Sequence, residues 1–411
     1  MIPHTLNTPF KENRSQMSSI RIFADLKEKY PTWPDLKAFL TGDAGGRLEV
    51  IGEGSTVIIR YDKKTSDFTV PYVHVFRSVV WDTVANLPKS VAPFKACDGV
   101  PESKDSLLIQ DFVEGVMIQA YMTYADTHVH LATRSKLGAN TRFYSKRNFS
   151  DLLTDVPGLQ LDKILPPPTT PEAIPYTFAS LVLQHPEHRI VAPALNPRIY
   201  VVSIGYVSAD GTVLINENPE TWPPAAAALA PQTKGLHPLT LGWSWQGLVY
   251  KNPTTLQRWR ERNPAHTLVR DLRGNEADSY SRFLRLRKGG QLPDYISYYP
   301  EEKDLFYQIE VKLQEQTKEL FADYNAVHRG PREARKHLKE VGWPLNKHIF
   351  TLHGLSMKEL KPAKQELTIE LVTQYVNALD VLKQRALLVT PIGGKVHPGQ
   401  RQSEEVDISL E

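Results

Sequence analysis

The chain of 411 residues contains a single cysteine, Cys97. An internal disulfide is therefore excluded, and so is a cysteine-based metal centre. That scarcity suits an intracellular home, cytoplasmic or nuclear, or the interior of an assembly such as a virion, rather than secretion. Long apolar runs are missing too. Nothing approaches the roughly 18 apolar residues of a membrane span, and the polar stretch from Met1 to Ile20 does not read as a signal peptide. A soluble protein without membrane association is expected. Charge of one sign is also scarce, with 49 Lys and Arg against 46 Asp and Glu, a formal +3. So small a surplus leaves no global footprint for nucleic acid, and any such surface must be local.

Proline, by contrast, is plentiful at 31 residues, which predicts many loops and interrupted elements. The length is enough for two domains, each with its own core. Residues 1–47 read as a polar tail followed by a helical lead-in near Ile22 to Phe39, broken at Pro31–Pro34. From Leu48 the pattern becomes β. Leu48–Gly52 and Ser55–Tyr61 form a predicted hairpin, Val73–Trp81 a further strand, and Gly115–Tyr121 and Thr127–Thr133 two more around a turn at Tyr124–Asp126. Leu165-Pro-Pro-Pro-Thr-Thr-Pro is a connector that cannot be helical. Pro219–Pro238 reads as a low-complexity loop.

Beyond Pro300 the period changes to that of helices. Glu301–Tyr324 places Leu305, Ile309, Leu313, Leu320 and Tyr324 on one face. Pro331 suits the first turn of a helix over Arg332–Val341. A last helix is expected from Thr368 to Leu387, with Leu371, Val372, Tyr375, Val376 and Leu379 inward, before a polar tail over 391–411. Strands first and helices last predict an α+β fold: a domain of antiparallel sheets over 48–295, then an α-helical C-terminal domain over 296–390.

Several short segments stand out in order. They are Arg77-Ser-Val-Val-Trp-Asp, Pro93-Phe-Lys-Ala-Cys-Asp, Phe112-Val-Glu-Gly-Val-Met-Ile, Ala132-Thr-Arg-Ser, His185-Pro-Glu-His-Arg-Ile-Val, Gln246-Gly-Leu-Val-Tyr and Arg260-Glu-Arg-Asn-Pro. The series resembles the motifs of the phage-type RNA ligases, covalent nucleotidyltransferases related to DNA ligases and capping enzymes. Leu272-Arg-Gly-Asn, Tyr298-Tyr-Pro-Glu, Leu352-His-Gly-Leu and Lys358-Glu-Leu-Lys-Pro look like parts of the branch found in large DNA viruses. The likeness runs from about Arg77 to Leu379.

What the resemblance implies for chemistry is loss. The family's reaction starts with a lysine attacking the α-phosphate of ATP. Phe112 occupies that position, and a benzyl group has no lone pair to give. A carboxylate expected on a later strand corresponds to Val182. The metal-linked glutamate of the Glu-Gly pair is Gln246, whose uncharged amide is a poor ligand for Mg²⁺. The phosphate-binding lysine is replaced by Arg260, which keeps the charge. Arg77, Glu114, Arg134, Arg189, Arg260 and Arg262 persist as vestigial phosphate- or nucleic-acid-binding groups. The expectation is a pseudoenzyme with no catalytic residue, no metal and no cofactor, acting with protein partners in a larger assembly. The alternatives are an RNA-end or nucleic-acid binder built on the former active-site arginines, or an active ligase charging a relocated Lys95 or Lys104.

Other candidates have plainer readings. Arg258, Arg260, Arg262, Arg270, Arg273, Arg282, Arg285 and Arg287, interleaved with Trp259, Tyr280 and Phe283, could grip nucleic acid or be a surface laced with internal ion pairs. His128 and His130 alternate along a strand without an evident further ligand, so an exposed strand face is expected. His185 and His188 belong to a turn. Gly42-Asp-Ala-Gly-Gly-Arg lacks the Gly-Lys-Ser/Thr of a phosphate cradle and is read as a turn. Cys97 is expected to be a small buried hydrophobe.

Overall fold

The computed structural model describes residues 17–232 and 242–389. The chain divides into two compact units at Leu268/Val269. The strands all belong to the first unit, and the second is helical. A mixed α+β protein with largely antiparallel sheets and a helical C-terminal region is therefore what the sequence encodes.

The first unit opens with β1 (Ser18–Ile20), α1 (Ile22–Lys29) and α2 (Trp33–Thr41). A meander follows: β2 (Glu49–Ile51), β3 (Thr56–Arg60), β4 (Val79–Asp82) and β5 (Leu87–Val91), all antiparallel neighbours. Next come β6 (Cys97–Asp98), β7 (Leu108–Asp111), β8 (Val116–Thr123) and β9 (Asp126–Ala132), then the short helices α3 (Phe149–Thr154) and α4 (Leu161–Ile164). β10 (Tyr176–Gln184), β11 (Arg198–Val207), β12 (Val213–Asn216), α5 (Pro224–Ala227), β13 (Gly247–Lys251) and β14 (Arg258–Arg262) complete it. α6 (Pro264–Arg273) carries the chain across the division between units.

Three sheets result. The largest runs β1-β12-β11-β10-β8-β9 and is antiparallel throughout. A second runs β6-β14-β13-β7, in which the β6–β14 edge alone is parallel. The meander is the third. Alternation along β10 explains why the large sheet is covered on both faces. Tyr176 and Phe178 enter one core with Phe23, Leu36, Trp81 and Phe76, while Ala179, Leu181 and Leu183 enter another with Phe149, Leu152 and Trp222. The register shift opposite Ser180 and Leu181 leaves the extra residue, Val202, on β11, so the alternation along β10 is unbroken.

The lead-in helices are thus part of the first unit, since Phe23, Leu26, Leu36 and Leu40 help form its core and β1 pairs with β12. Other local expectations also change. The segment Val73–Trp81 is not one strand: Val73–Val75 is a 3-10 turn, and β4 begins at Val79. Pro219–Thr221 and α5 put two helical turns into the proline-rich loop, whose residues 233–238 lie outside the described part. Cys97 is exposed, because a two-residue strand at a sheet edge offers it no core. Of the expected tails, 1–16 and 390–411 also lie outside the described residues.

In the second unit α7 (Ser279–Lys288), α8 (Leu292–Tyr298), α9 (Lys303–His328), α10 (Leu345–Leu355), α11 (Ile369–Ala378) and α12 (Val381–Val389) pack together. α9 buries Phe306, Ile309, Leu313, Leu320 and Tyr324, whereas Leu305 is 41% exposed. Arg332–Val341 forms two separate 3-10 turns rather than a helix. The last expected helix is broken after Ala378, where Leu379 takes an extended ψ of 153° that ends α11. Glu302 anchors this unit with a partly buried carboxylate that accepts from Arg273 at 2.6 Å, Arg282 at 3.2 Å and the Tyr295 hydroxyl at 3.0 Å. Burial would raise its pKa, but the two guanidiniums prevail and hold it below the usual value.

Candidate functional site

Three of the singled-out residues, Phe112, Arg260 and Arg262, meet where β7 leads into β8 and β13 into β14. The Phe112 amide donates to the Gly247 carbonyl at 2.8 Å. Gly247 in turn lies opposite Arg262 in the β13–β14 register. The Arg262 guanidinium sits 5.3 Å from the centre of the Phe112 ring. Beside it, Arg260 holds Asp98 through two bonds, Nε at 2.6 Å and Nη2 at 3.1 Å. Arg262 approaches the same carboxylate at 3.7 Å.

Asp98 arrives through the parallel β6–β14 edge, locked by the Gly99 amide donating to the Arg260 carbonyl at 3.0 Å. Its side chain is 69% exposed while that of Arg260 is 8% exposed. The buried cation is thus neutralised from the solvent side. Arg260, with Arg262 and Lys95 contributing, depresses the Asp98 pKa.

Two glycines fix this geometry. Gly115 has φ +152°, and a Cβ there would fall 2.4 Å from the Leu183 carbonyl oxygen and 2.6 Å from Val182 Cγ1. Gly247 has φ +137°, and a Cβ would fall 1.9 Å from the Glu261 carbonyl oxygen. The Glu-Gly and Gln-Gly pairs therefore mark places where two strands approach too closely for a side chain. Val182, buried on β10, is the neighbour that closes over Gly115.

Glu114 is fully engaged. One carboxylate oxygen accepts from the amides of Val191 and Ala192 at 3.0 and 3.1 Å, and the other meets His266 Nε2 at 2.6 Å. The Pro186–His188 turn and the loop after it are pinned to the Glu114-Gly115 corner by these bonds. Gln246 is buried, and its Oε1 has no hydrogen-bond partner among the described residues. Its backbone carbonyl accepts from Asn263, whose side chain ties Gly242 and Trp245 into the same corner.

The remaining expected arginines sit in other settings. Arg134 donates to the carbonyls of Arg77 and Tyr61 at 3.3 and 3.1 Å and lies over the Tyr61 ring, while Arg77 reaches the Pro93 carbonyl at 3.4 Å. Arg189 donates to the Val191 carbonyl at 2.9 Å and faces Trp243. Their guanidiniums brace loops through backbone oxygens. Lys104 lies over the Tyr250 ring at 5.1 Å.

The arginine-rich stretch is mostly consumed within the fold. Arg258 approaches Glu217, Arg285 pairs with Glu276 and Arg287 with Glu310, in addition to the pairs already given. Phe283 is a core residue and not a stacking platform. His130 has a carboxylate partner after all: Asp126 lies 3.0 Å away, and the ring stacks on Tyr121. The Gly42 segment is a 3-10 turn that ends α2.

Three features had no clear signal in the sequence. His266 and Asp98 are the hydrogen-bond partners of Glu114 and Arg260, and each is far along the chain from the group it serves. Asp155, His185 and Glu187 form, among the described residues, a group of possible cation ligands lying within 4.8 Å of one another. Arg147 already bridges Asp155 and Glu187 at 2.6 and 3.1 Å and holds the Asp155 pKa down at about 2, so the cluster carries its own cation. Finally, Lys251 is buried on β13, donates to the Val202 carbonyl at 2.7 Å, and lies near Glu217 and Arg258. Burial pulls its pKa down to about 7.

No helix among the described residues is long and apolar enough to cross a membrane. Compared with known proteins, the chain matches no family model and no curated sequence.

Proposed function

We propose that the chain is a catalytically silent relative of the phage-type RNA ligases, of the large-DNA-virus branch, with a nucleotidyltransferase-like first unit. Its role is that of a binding or structural component of a larger assembly, such as a virion, inside the cell or the particle. One observation carries this reading. At the corner where the family would place its nucleophile and its phosphate-gripping groups, the chain puts a benzyl ring under Arg262 and clasps Arg260 with its own Asp98. Glu114 is spent on His266 and two backbone amides, which makes it a structural pin. Transfer of a nucleotidyl group needs an amine nucleophile and carboxylates that hold a metal. Phe112, Val182 and Gln246 supply neither.

The second reading, an RNA-end binder built on the former active-site arginines, finds less support. A guanidinium that pairs with a carboxylate of its own fold loses much of its attraction for phosphate, and Arg260, Arg282, Arg285 and Arg287 are all so paired. The test is incubation with α-labelled ATP and Mg²⁺ followed by denaturing electrophoresis, with an active ligase alongside. No labelled protein is the expected result. A covalent adduct on any lysine, Lys95 and Lys104 included, would overturn the proposal.

A further inference from the structure

α9 ends on one imidazole laid flat against another. His328, its last residue, stacks on His353 of α10 with ring centroids 3.8 Å apart and planes only 4° from parallel. Tyr324, one turn earlier on α9, flanks both rings at 5.1 and 6.4 Å. Three polar atoms at this end of α9 and in the stack are buried without a hydrogen-bond partner among the described residues: His328 Nε2, His353 Nδ1 and Asn325 Oδ1. Unpaired buried polar atoms are costly, and local opening would give all three to water. The junction is therefore a place where opening meets little resistance from hydrogen bonding.

Neutral imidazoles stack without penalty, but two protonated ones would bring like charges face to face at 3.8 Å. The surrounding charges offer no relief, because they are positive or already engaged. On α9, Asp323 holds Lys336 at 2.9 Å, and Arg329 lies over the Tyr324 ring and meets Glu366 at 3.5 Å. In the turns after α9, Arg335 donates to the Gly330 carbonyl at 2.8 Å, and Glu340 accepts from the His337 amide at 3.2 Å. The other histidine of α10, His348, is bound to Tyr375 of α11 at 2.8 Å, and Lys347 and Lys383 act on it. Burial first, then His353 and Arg335, hold the His328 pKa below its ordinary 6.5.

From this geometry we infer that the His328–His353 stack is an acid-sensitive latch: it holds the last turn of α9 to α10 while a ring is neutral, and releases it when both are charged. The release extends to the Gly330–Lys336 segment, which is fastened to that turn by the Lys336 amide donating to the Ala326 carbonyl at 3.1 Å. The sign follows from linkage. The open form takes up a proton more readily than the stacked one, so the stability of the junction is lost as pH falls from 6.5 through the lower folded pKa, and levels off below it. The latch lies wholly in the second unit, so it stands or falls independently of whether the first unit is catalytic.

The test is amide hydrogen exchange of the full chain, read by mass spectrometry at about pH 7.5 and about pH 5 and corrected for the intrinsic chemical rate. Peptides covering Tyr324–Lys336 are expected to exchange about tenfold faster at the lower pH, while those of β10 and of the first half of α9 keep their protection. His328→Phe and His353→Phe each preserve a stacked pair of rings that cannot both be charged, and each should abolish the difference. The comparison within the parent chain stands even where a variant folds poorly. The inference is overturned if the parent's Tyr324–Lys336 peptides exchange alike at the two pH values, or if the well-folded phenylalanine variants retain the acid response. It is equally overturned if every helix of the second unit loses protection together, since acid would then unfold the unit and not the latch.

Discussion

Asp98 and Arg260 form a bidentate pair in which the carboxylate is largely exposed and the guanidinium buried. Removing the carboxylate would strand the cation. Asp98→Ala is therefore expected to lower the thermal midpoint, and Arg260→Met, which fills the space without charge, to lower it less. The pairing also has a pH signature. The folded pKa of Asp98 lies below its ordinary 3.8, so its contribution is present above that value and is lost as pH falls through the folded pKa. Acid unfolding of Asp98→Asn, followed by circular dichroism, should begin from a lower stability and depend less on pH below 4.

A second pH dependence, of opposite origin, belongs to Lys251. Its folded pKa of about 7 lies below the ordinary 10.5. Between those values the unfolded chain binds a proton that the folded one lacks, so stability should rise with pH across that window. The burial penalty is fully present below about pH 7 and fades toward 10.5. Lys251→Met should flatten this dependence and raise stability most at the acidic end, measured by urea unfolding from pH 6.5 to 10. An unchanged slope would remove Lys251 as its source.

On the proposed ligase-like reading, restoring the family's lysine alone should restore nothing. Phe112→Lys is expected to give no protein–AMP adduct with labelled ATP and Mg²⁺, because Val182 and Gln246 still leave the metal without carboxylates. An adduct mapped to the substituted position in that variant would mean that the rest of the site is competent.

In the second unit, one carboxylate, that of Glu302, is shared by Arg273 and Arg282. Glu302→Gln removes the carboxylate that the two buried guanidiniums share, at an expected cost of about 3–5 kcal/mol. A drop in the urea midpoint of the helical signal is the readout. A loss under about 1 kcal/mol would show that Tyr295 and backbone carbonyls suffice.

Gly115→Ala and Gly247→Ala should each be poorly folded. The backbone conformation alone costs about 1–3 kcal/mol for a residue with a side chain, and the added methyl would meet a carbonyl oxygen at 2.4 or 1.9 Å. Solubility and cooperative unfolding, compared with Gly54→Ala at an open position, would test this.

Periodicity made much of the architecture legible. The β2–β3 hairpin, β8 and β9 and the long α9 could be read because each repeats its apolar residues at the period of its own element. Breaks were harder. The turn at Val73–Val75 has the β-branched composition of a strand, and tertiary packing overrides it. At the site, the Glu-Gly and Gln-Gly pairs stand out through the motif resemblance, and the structure adds that both glycines sit where a Cβ would meet a carbonyl oxygen. Their partners were not legible. His266 stands 152 positions from Glu114 and Asp98 stands 162 from Arg260, and only the folded chain brings such groups within a hydrogen bond.

β6 is two residues long, and its other residue is Cys97, the chain's sole thiol. Because that thiol is exposed, the native protein carries its own labelling point next to the Asp98–Arg260 clasp. A fluorophore or spin label placed there, with no engineered cysteine and none to remove, would report whether that edge of the sheet stays closed in solution.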